Sequence, residues 1–181
     1  MILRRFRSNS LDRNIGELYG AIVAQARSVA FYGDYGVPDT VEGRFDLIVL
    51  HLVLVLARFG ADEQSGRGLG QQLFDVFCRD LDGNLREMGV GDLAVPKRMR
   101  RFGEAFYGRQ TAYLAALSAV DDGELEKALA RNIFVGVDND RGAARLARYA
   151  RAALRQFQRQ DEAALLHGDI AFPRPEAIAN A

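Results

Sequence analysis

The chain holds two histidines, His51 and His167, and one cysteine, Cys78, so few side chains are available for metal or nucleophilic chemistry. Neither histidine has a second histidine or a cysteine at ligand spacing, so no zinc site is expected. His51 lies amid aliphatic residues, where an imidazole is ordinarily a core group bonded to a neighbouring carbonyl or carboxylate. Cys78 follows Phe77 and reads as a small buried hydrophobe, since a nucleophilic thiolate needs an activating environment. Two acidic runs, "DLDGNL" from Asp80 and "DNDRGA" from Asp138, resemble calcium loops at first sight. Such a loop needs glycine at its sixth position and glutamate at its twelfth. The first run offers Leu85 and Gly91, the second Ala143 and Tyr149. "GRGLG", Gly66 to Gly70, lacks the Lys-Ser or Lys-Thr of a phosphate loop and is expected to be a flexible connection. The residues therefore give no catalytic set, no metal ligands and no cofactor site, and an enzyme is not expected.

One segment does carry chemistry. In "VPKRMRRFGEAFYGR", residues 95–109, Lys97, Arg98, Arg100, Arg101 and Arg109 face only Glu104 in opposite charge. On a helix, Arg98, Arg101 and Arg109 fall along one flank with Lys97 and Arg100 beside it, while Phe102 and Phe106 point the other way. Tyr107 stands on the border and is a candidate anchor. Cations at a helix N-terminus oppose its dipole, a local conflict that something anionic would relieve. These eight residues are the candidate partner-binding surface. The alternative is a solvated face whose arginines pair with Asp80, Asp82 or Asp92.

The elements that must position this surface are helical. From Leu11 to Val29 the apolar residues recur with helical period, and Ser10 is placed to cap them. "FYGDYGVPD" breaks the pattern with glycine and proline. Asp39 and Glu42 are spaced as a capping box for a second helix over about 39–59. That helix contains "RFDLIVLHLVLVLARFG", whose unbroken apolar part, Leu47 to Ala57, is well short of the roughly 20 residues needed to cross a bilayer. The whole stretch of about twenty residues without a turn signal is also too long for an ordinary strand. It reads as a helix surrounded by other helices. "GADEQSGRGLG" is a polar linker, Leu69 to Leu85 restore helical spacing, and Pro96 suits the first turn of a fourth helix. Asp121 with Glu124 opens a short helix to about Phe134, and Asn139 or Asp140 opens another whose face includes Leu146, Tyr149 and Phe157. The expected fold is an all-α, single-domain bundle of six or seven helices over residues 11–167, with an N-terminal arm, 1–10, and an extended, proline-broken tail, 168–181.

Bulk properties limit the function further. The chain of 181 residues has 24 basic and 24 acidic side chains, so whole-molecule attraction to nucleic acid is not implied and no specific DNA binding is expected. A single cysteine is compatible with a reducing compartment. No apolar run follows "MILRRFR", so it is not a secretory signal, and the scarcity of lysine beside arginine suggests a bacterial cytoplasm.

The long run "LARFGADEQSGRGLGQQLFDVFCRDLDGNLREMGVGDLAVPKRMRRFGEAFYGR", with "FYGDYGVPDTVEGRFD" before it and "YLAALSAVDDGELEKALARNIFVG" after it, resembles the ubiquinol-cytochrome c chaperone family. The similarity covers most of residues 30–160 and lies in a pattern of helices and loops. It implies a helical, non-enzymatic assembly factor for cytochrome b of respiratory complex III, without a cofactor of its own. It implies newly made or apo cytochrome b as the client, with the ribosome or a small helper protein as further partners. Unlike the mitochondrial form, this chain is not expected to carry a long N-terminal presequence. The family provides no side chains to carry over, so the candidate surface rests on its chemistry: arginines beside aromatic residues bury apolar area while pairing with carboxylates or phosphates. Ile2, Leu3 and Phe6 among three arginines suit weak membrane contact by the arm, which would place the protein at the cytoplasmic face of the inner membrane. The rival readings are a peripheral protein binding anionic lipid or a quinone-like apolar ligand, and an enzyme using His51 in a buried pocket.

Overall fold

A computed structural model describes residues 2–59 and 66–179 of the chain. Six helices of eleven or more residues form the body: α1 (Ile2–Ala26), α3 (Val41–Phe59), α4 (Gly66–Glu87), α5 (Val95–Leu117), α6 (Gly123–Ile133) and α7 (Asp140–Arg159). Three five-residue turns, α2 (Val29–Gly33), α8 (Glu162–Leu166) and α9 (Pro175–Ala179), complete an all-α architecture without strands among the described residues.

The greasy α3 is the innermost rod. Leu47, Val49, Leu50, Leu52, Val53, Leu54 and Val55 are all buried, because α1, α4, α5, α6 and α7 pack around it. Each such side chain removed from water stabilises the fold by about 1.5–3 kcal/mol, which is why a helix with apolar residues on every side belongs at the centre. No described helix is long and apolar enough to cross a membrane.

Several boundaries differ from those expected. The Thr40 hydroxyl, rather than Asp39, accepts the Gly43 amide at 3.1 Å, and Asp39 instead takes the Arg44 side chain at 2.6 Å. A short hydroxyl beside the helix start outcompetes a carboxylate that has a cation within reach. Helix α1 ends at Ala26, so Val29 begins α2, and Ser10 lies inside α1 rather than at its start. The expected N-terminal arm is thus continuous in backbone with α1, while Met1 and the arm's side chains lie outside the described residues. Of the expected linker, residues 60–65 lie outside the described residues, and Gly66–Gly70 form the first turns of α4 rather than a loop. The tail is not wholly extended, because Pro175 starts α9, as proline can where its missing amide costs nothing. The buried Tyr35 hydroxyl donates to the Pro175 carbonyl at 2.9 Å and ties that turn down.

The other expected caps form in part. Asn139 caps α7 by accepting the Gly142 amide at 2.9 Å, and its own amide donates to the Tyr35 carbonyl at 3.0 Å. Gly142 is required here, since a Cβ would collide with both Asn139 and that carbonyl. Asp121 accepts the Gly123 amide at 2.9 Å, while Asp122, the residue before α6, pairs with Arg151.

Candidate functional site

His51 has no exposed surface, and both ring nitrogens are occupied. Nδ1 lies 2.7 Å from the Leu47 carbonyl, which only accepts, so Nδ1 carries the proton. Nε2, 3.0 Å from the Tyr149 hydroxyl, is therefore an acceptor, and Tyr149 in turn accepts from Gln25 at 2.9 Å. The chain Gln25, Tyr149, His51, Leu47 pins α1 and α7 to α3. Burial pushes the imidazole pKa down to about 4, opposed in part by the Leu47 bond. His51 is a neutral structural group sealed in packing, and the reading that makes it an acid–base catalyst fails. Cys78 is half-buried, and burial raises its pKa, away from thiolate reactivity. Among the described residues no group of histidine, cysteine and acidic side chains is placed to hold a metal.

The basic aromatic helix is α5, and the structure divides its candidate residues. Phe106 is buried against Phe74 and Phe77, with ring centroids 4.8 and 5.8 Å away, and so belongs to the core. Phe102 is half-buried and its ring meets that of Phe45 at 5.0 Å, tilted by 45°. Arg109 also turns inward. Its Nη2 lies 2.8 Å from Oδ1 of Asp46, which is only 5% exposed, in a charge pair rather than an aligned hydrogen bond. Desolvation raises the Asp46 pKa to about 6 against the pull of Arg109. The hydroxyl of Tyr113 is buried next to this pair without a hydrogen-bond partner in the protein, and burial raises its pKa too. Arg109 thus links α5 to α3 and is withdrawn from the flank it was expected to share with Arg98 and Arg101.

Lys97, Arg98, Arg100 and Arg101 remain exposed, as does Tyr107, at 55%. The carboxylates expected to neutralise them are engaged elsewhere. Asp80 accepts the Tyr19 hydroxyl at 2.8 Å, and Arg86 holds both Asp82 at 2.7 Å and Asp92 at 2.5 Å. Arg100 has Glu104 at 3.6 Å, a loose surface pair, whereas Lys97, Arg98 and Arg101 make no ion pair among the described residues. The N-terminus of α5 thus presents three unneutralised cations and has neither an acidic residue in its first turn nor a side-chain cap. This is an anion-attracting surface, and the exposed Tyr107 lies about two turns further along α5.

The family model for ubiquinol-cytochrome C chaperone matches residues 33–172. The chain belongs to this chaperone family. The crystal structure of the Cbp3 homolog from Brucella abortus superposes on the chaperone with a TM-score of 0.86 and 38% identity, covering 97% of this chain and 98% of that one. A search of curated proteins gives no match.

Sequence reasoning missed two features of the chaperone. Arg151 reaches from α7 to the end of α5, where its guanidinium donates to the carbonyls of Leu117 at 3.2 Å, Ala119 at 3.0 Å and Asp121 at 2.7 Å while pairing with Asp122. A cation there satisfies the orphan carbonyls and complements the helix dipole. The other is a groove of about 570 Å³ along α3, α5 and α7, lined by Leu56, Leu114, Leu117 and Leu154 with Gln110 and Gln158. Neither had a local signal, because each joins residues distant in the chain.

Proposed function

We propose that this protein is a non-enzymatic chaperone that holds newly made cytochrome b during assembly of ubiquinol-cytochrome c reductase, working in the bacterial cytoplasm beside the inner membrane. Family membership carries the reading, and the exposed part of α5 gives it a surface. A membrane-protein client presents apolar segments bordered by charge, and Tyr107 with Lys97, Arg98, Arg100 and Arg101 offers an amphipathic anchor next to cations. Phe102, Phe106 and Arg109 act from beneath, holding that face in place. The ribosome and a small helper protein remain proposed partners on the family resemblance alone.

The test is co-purification of cytochrome b from detergent-solubilised membranes. The double variant Arg98→Glu, Arg101→Glu changes only exposed side chains that make no ion pair among the described residues, so stability should stay within about 0.5 kcal/mol of the parent. Client recovery should fall several-fold. Unchanged recovery would acquit this face, and recovery of no cytochrome b by the parent protein would count against the client itself.

A second reading is a quinone-like ligand in the groove beside Leu56, Leu114, Leu117 and Leu154, whose wall also carries Arg58, Gln110, Ser118 and Gln158. Mass spectrometry of solvent extracts of the purified protein tests it. A stoichiometric isoprenoid would favour it, and its absence would remove it.

A further inference from the structure

We infer that the tip of the α4–α5 hairpin is a docking surface for an anionic lipid bilayer. The hairpin is antiparallel, since Phe74 meets Phe106 and Tyr107 at 4.8 and 5.6 Å and Phe77 meets Phe106 at 5.8 Å. Phe45, near the start of α3, reaches Phe77 at 6.1 Å and Phe102 at 5.0 Å. The end of α4 and the first turns of α5 run on past those contacts for roughly 10 Å, at about 1.5 Å per residue. Leu85 and Val95 are buried there without joining the main core. Gly89, with φ of 78°, makes the turn that follows α4.

The tip exposes two large apolar side chains five residues apart in the chain. Leu93 is 99% exposed and Met88 61%, on the two sides of the turn. Behind them stand Lys97, Arg98 and Arg101, which make no ion pair among the described residues, while Glu104 is held by Arg100 and Asp82 and Asp92 share Arg86, so one negative charge of that trio and Glu87 oppose them. Apolar residues leading and cations one or two turns behind is the order in which a bilayer interface presents its own groups, acyl boundary inside and phosphates outside. An acidic protein would satisfy the cations but leave Leu93 and Met88 bare, so the lipid surface accounts for more of what is seen. The location also goes beyond the client reading: it fixes which end of the chaperone meets the membrane, and it needs no client to be tested.

The experiment is flotation of the purified full chain with vesicles of phosphatidylcholine alone and of an equal mixture with phosphatidylglycerol. The chain should float with the anionic vesicles and stay down with the neutral ones. Each cation near an anionic leaflet is worth about five-fold in partitioning, so Arg98→Glu with Arg101→Glu should lower binding by more than about 10-fold. Met88→Glu with Leu93→Glu should lower it comparably. Lys127→Glu, at an exposed site paired with Glu124, should leave it unchanged, and far-UV circular dichroism should be that of the parent throughout. Failure of the parent to float with anionic vesicles overturns the proposal, as does equal binding to neutral ones or full binding by the Met88 and Leu93 variant. If the parent ignores vesicles while that variant loses cytochrome b in detergent, the tip is a protein interface and the bilayer assignment is wrong.

Discussion

Replacing Arg109 with methionine keeps most of its length and removes its charge, which separates a structural arginine from a docking one. Asp46 has its pKa raised from 3.8 to about 6 by desolvation, and Arg109 at 2.8 Å keeps it from rising further. At about 1.4 kcal/mol per pH unit, carrying that carboxylate near pH 7 already costs the fold about 3 kcal/mol relative to an exposed aspartate. Without the guanidinium, ionisation costs more, but the loss has a ceiling because the carboxyl can take up a proton. Protonating an ordinary aspartate near pH 7 costs about 4 kcal/mol, so the added electrostatic loss is about 1–1.5 kcal/mol, below the ~3–5 kcal/mol usual for an orphaned buried charge. The bond from Arg109 Nη1 to the Ala105 carbonyl, at 3.3 Å, and lost packing add a pH-independent part. Together they make about 2 kcal/mol. Between about pH 4 and about pH 6 the folded chain keeps a proton on Asp46 that the unfolded chain has released, so raising the pH through that window lowers stability. Near pH 5 the folded parent is largely protonated at Asp46, and the loss caused by Arg109→Met should shrink by about 1 kcal/mol. Urea unfolding followed by circular dichroism at the two pH values measures it. An equal loss at both, or none at either, would refute the buried pair, and no loss together with reduced client recovery would return Arg109 to the surface.

Tyr149→Phe removes the hydrogen-bond donor to His51 and leaves its buried Nε2 unpaired at a cost of about 1–3 kcal/mol, while Gln25 keeps the Pro173 carbonyl at 3.2 Å. Thermal unfolding should show a fall of several degrees, and an unchanged Tm would mean that the imidazole does not depend on that hydroxyl. Gly142→Ala puts a Cβ into Asn139 and the Tyr35 carbonyl, and should cost about 2 kcal/mol in denaturant unfolding. A neutral result would show that the start of α7 can shift to admit it.

Much of the fold was legible because helices announce themselves through periodicity. The run from Leu47 to Ala57 could only be a central helix once its length ruled out a strand and a membrane span, and α3 lies where that reasoning puts it. The start of α7 was narrowed for a similar local reason to Asn139 or Asp140, of which Asn139 is the cap. The division of the α5 surface was harder. Arg109 was placed by helical geometry on the flank of Arg98 and Arg101, yet the same geometry puts it on the stripe of Phe102, Phe106 and Tyr113 that faces the core. A cation on an apolar stripe implies a buried acid opposite, and Asp46, alone among the aliphatics of α3, was the available partner. That signal was present and was outweighed by the cluster of neighbouring arginines. By contrast, the capture of Asp82 and Asp92 by Arg86, which leaves the α5 cations unneutralised, depends on which side chains meet in space. No pattern along the chain ranks Arg86 above Arg98 or Arg101 for those carboxylates. The replacement of Asp39 by Thr40 as the cap of α3 is of the same kind, since it turned on Arg44 being free to take the carboxylate.

The central claim is that cytochrome b cannot be built normally without this protein. The most direct measurement is the reduced-minus-oxidised spectrum of membranes from a strain in which its gene is deleted, alongside ubiquinol-dependent reduction of cytochrome c. The account predicts that the cytochrome b signal and the reductase activity fall together and return with the intact gene. Membranes with the full cytochrome b signal and full activity in the deletion strain would contradict it.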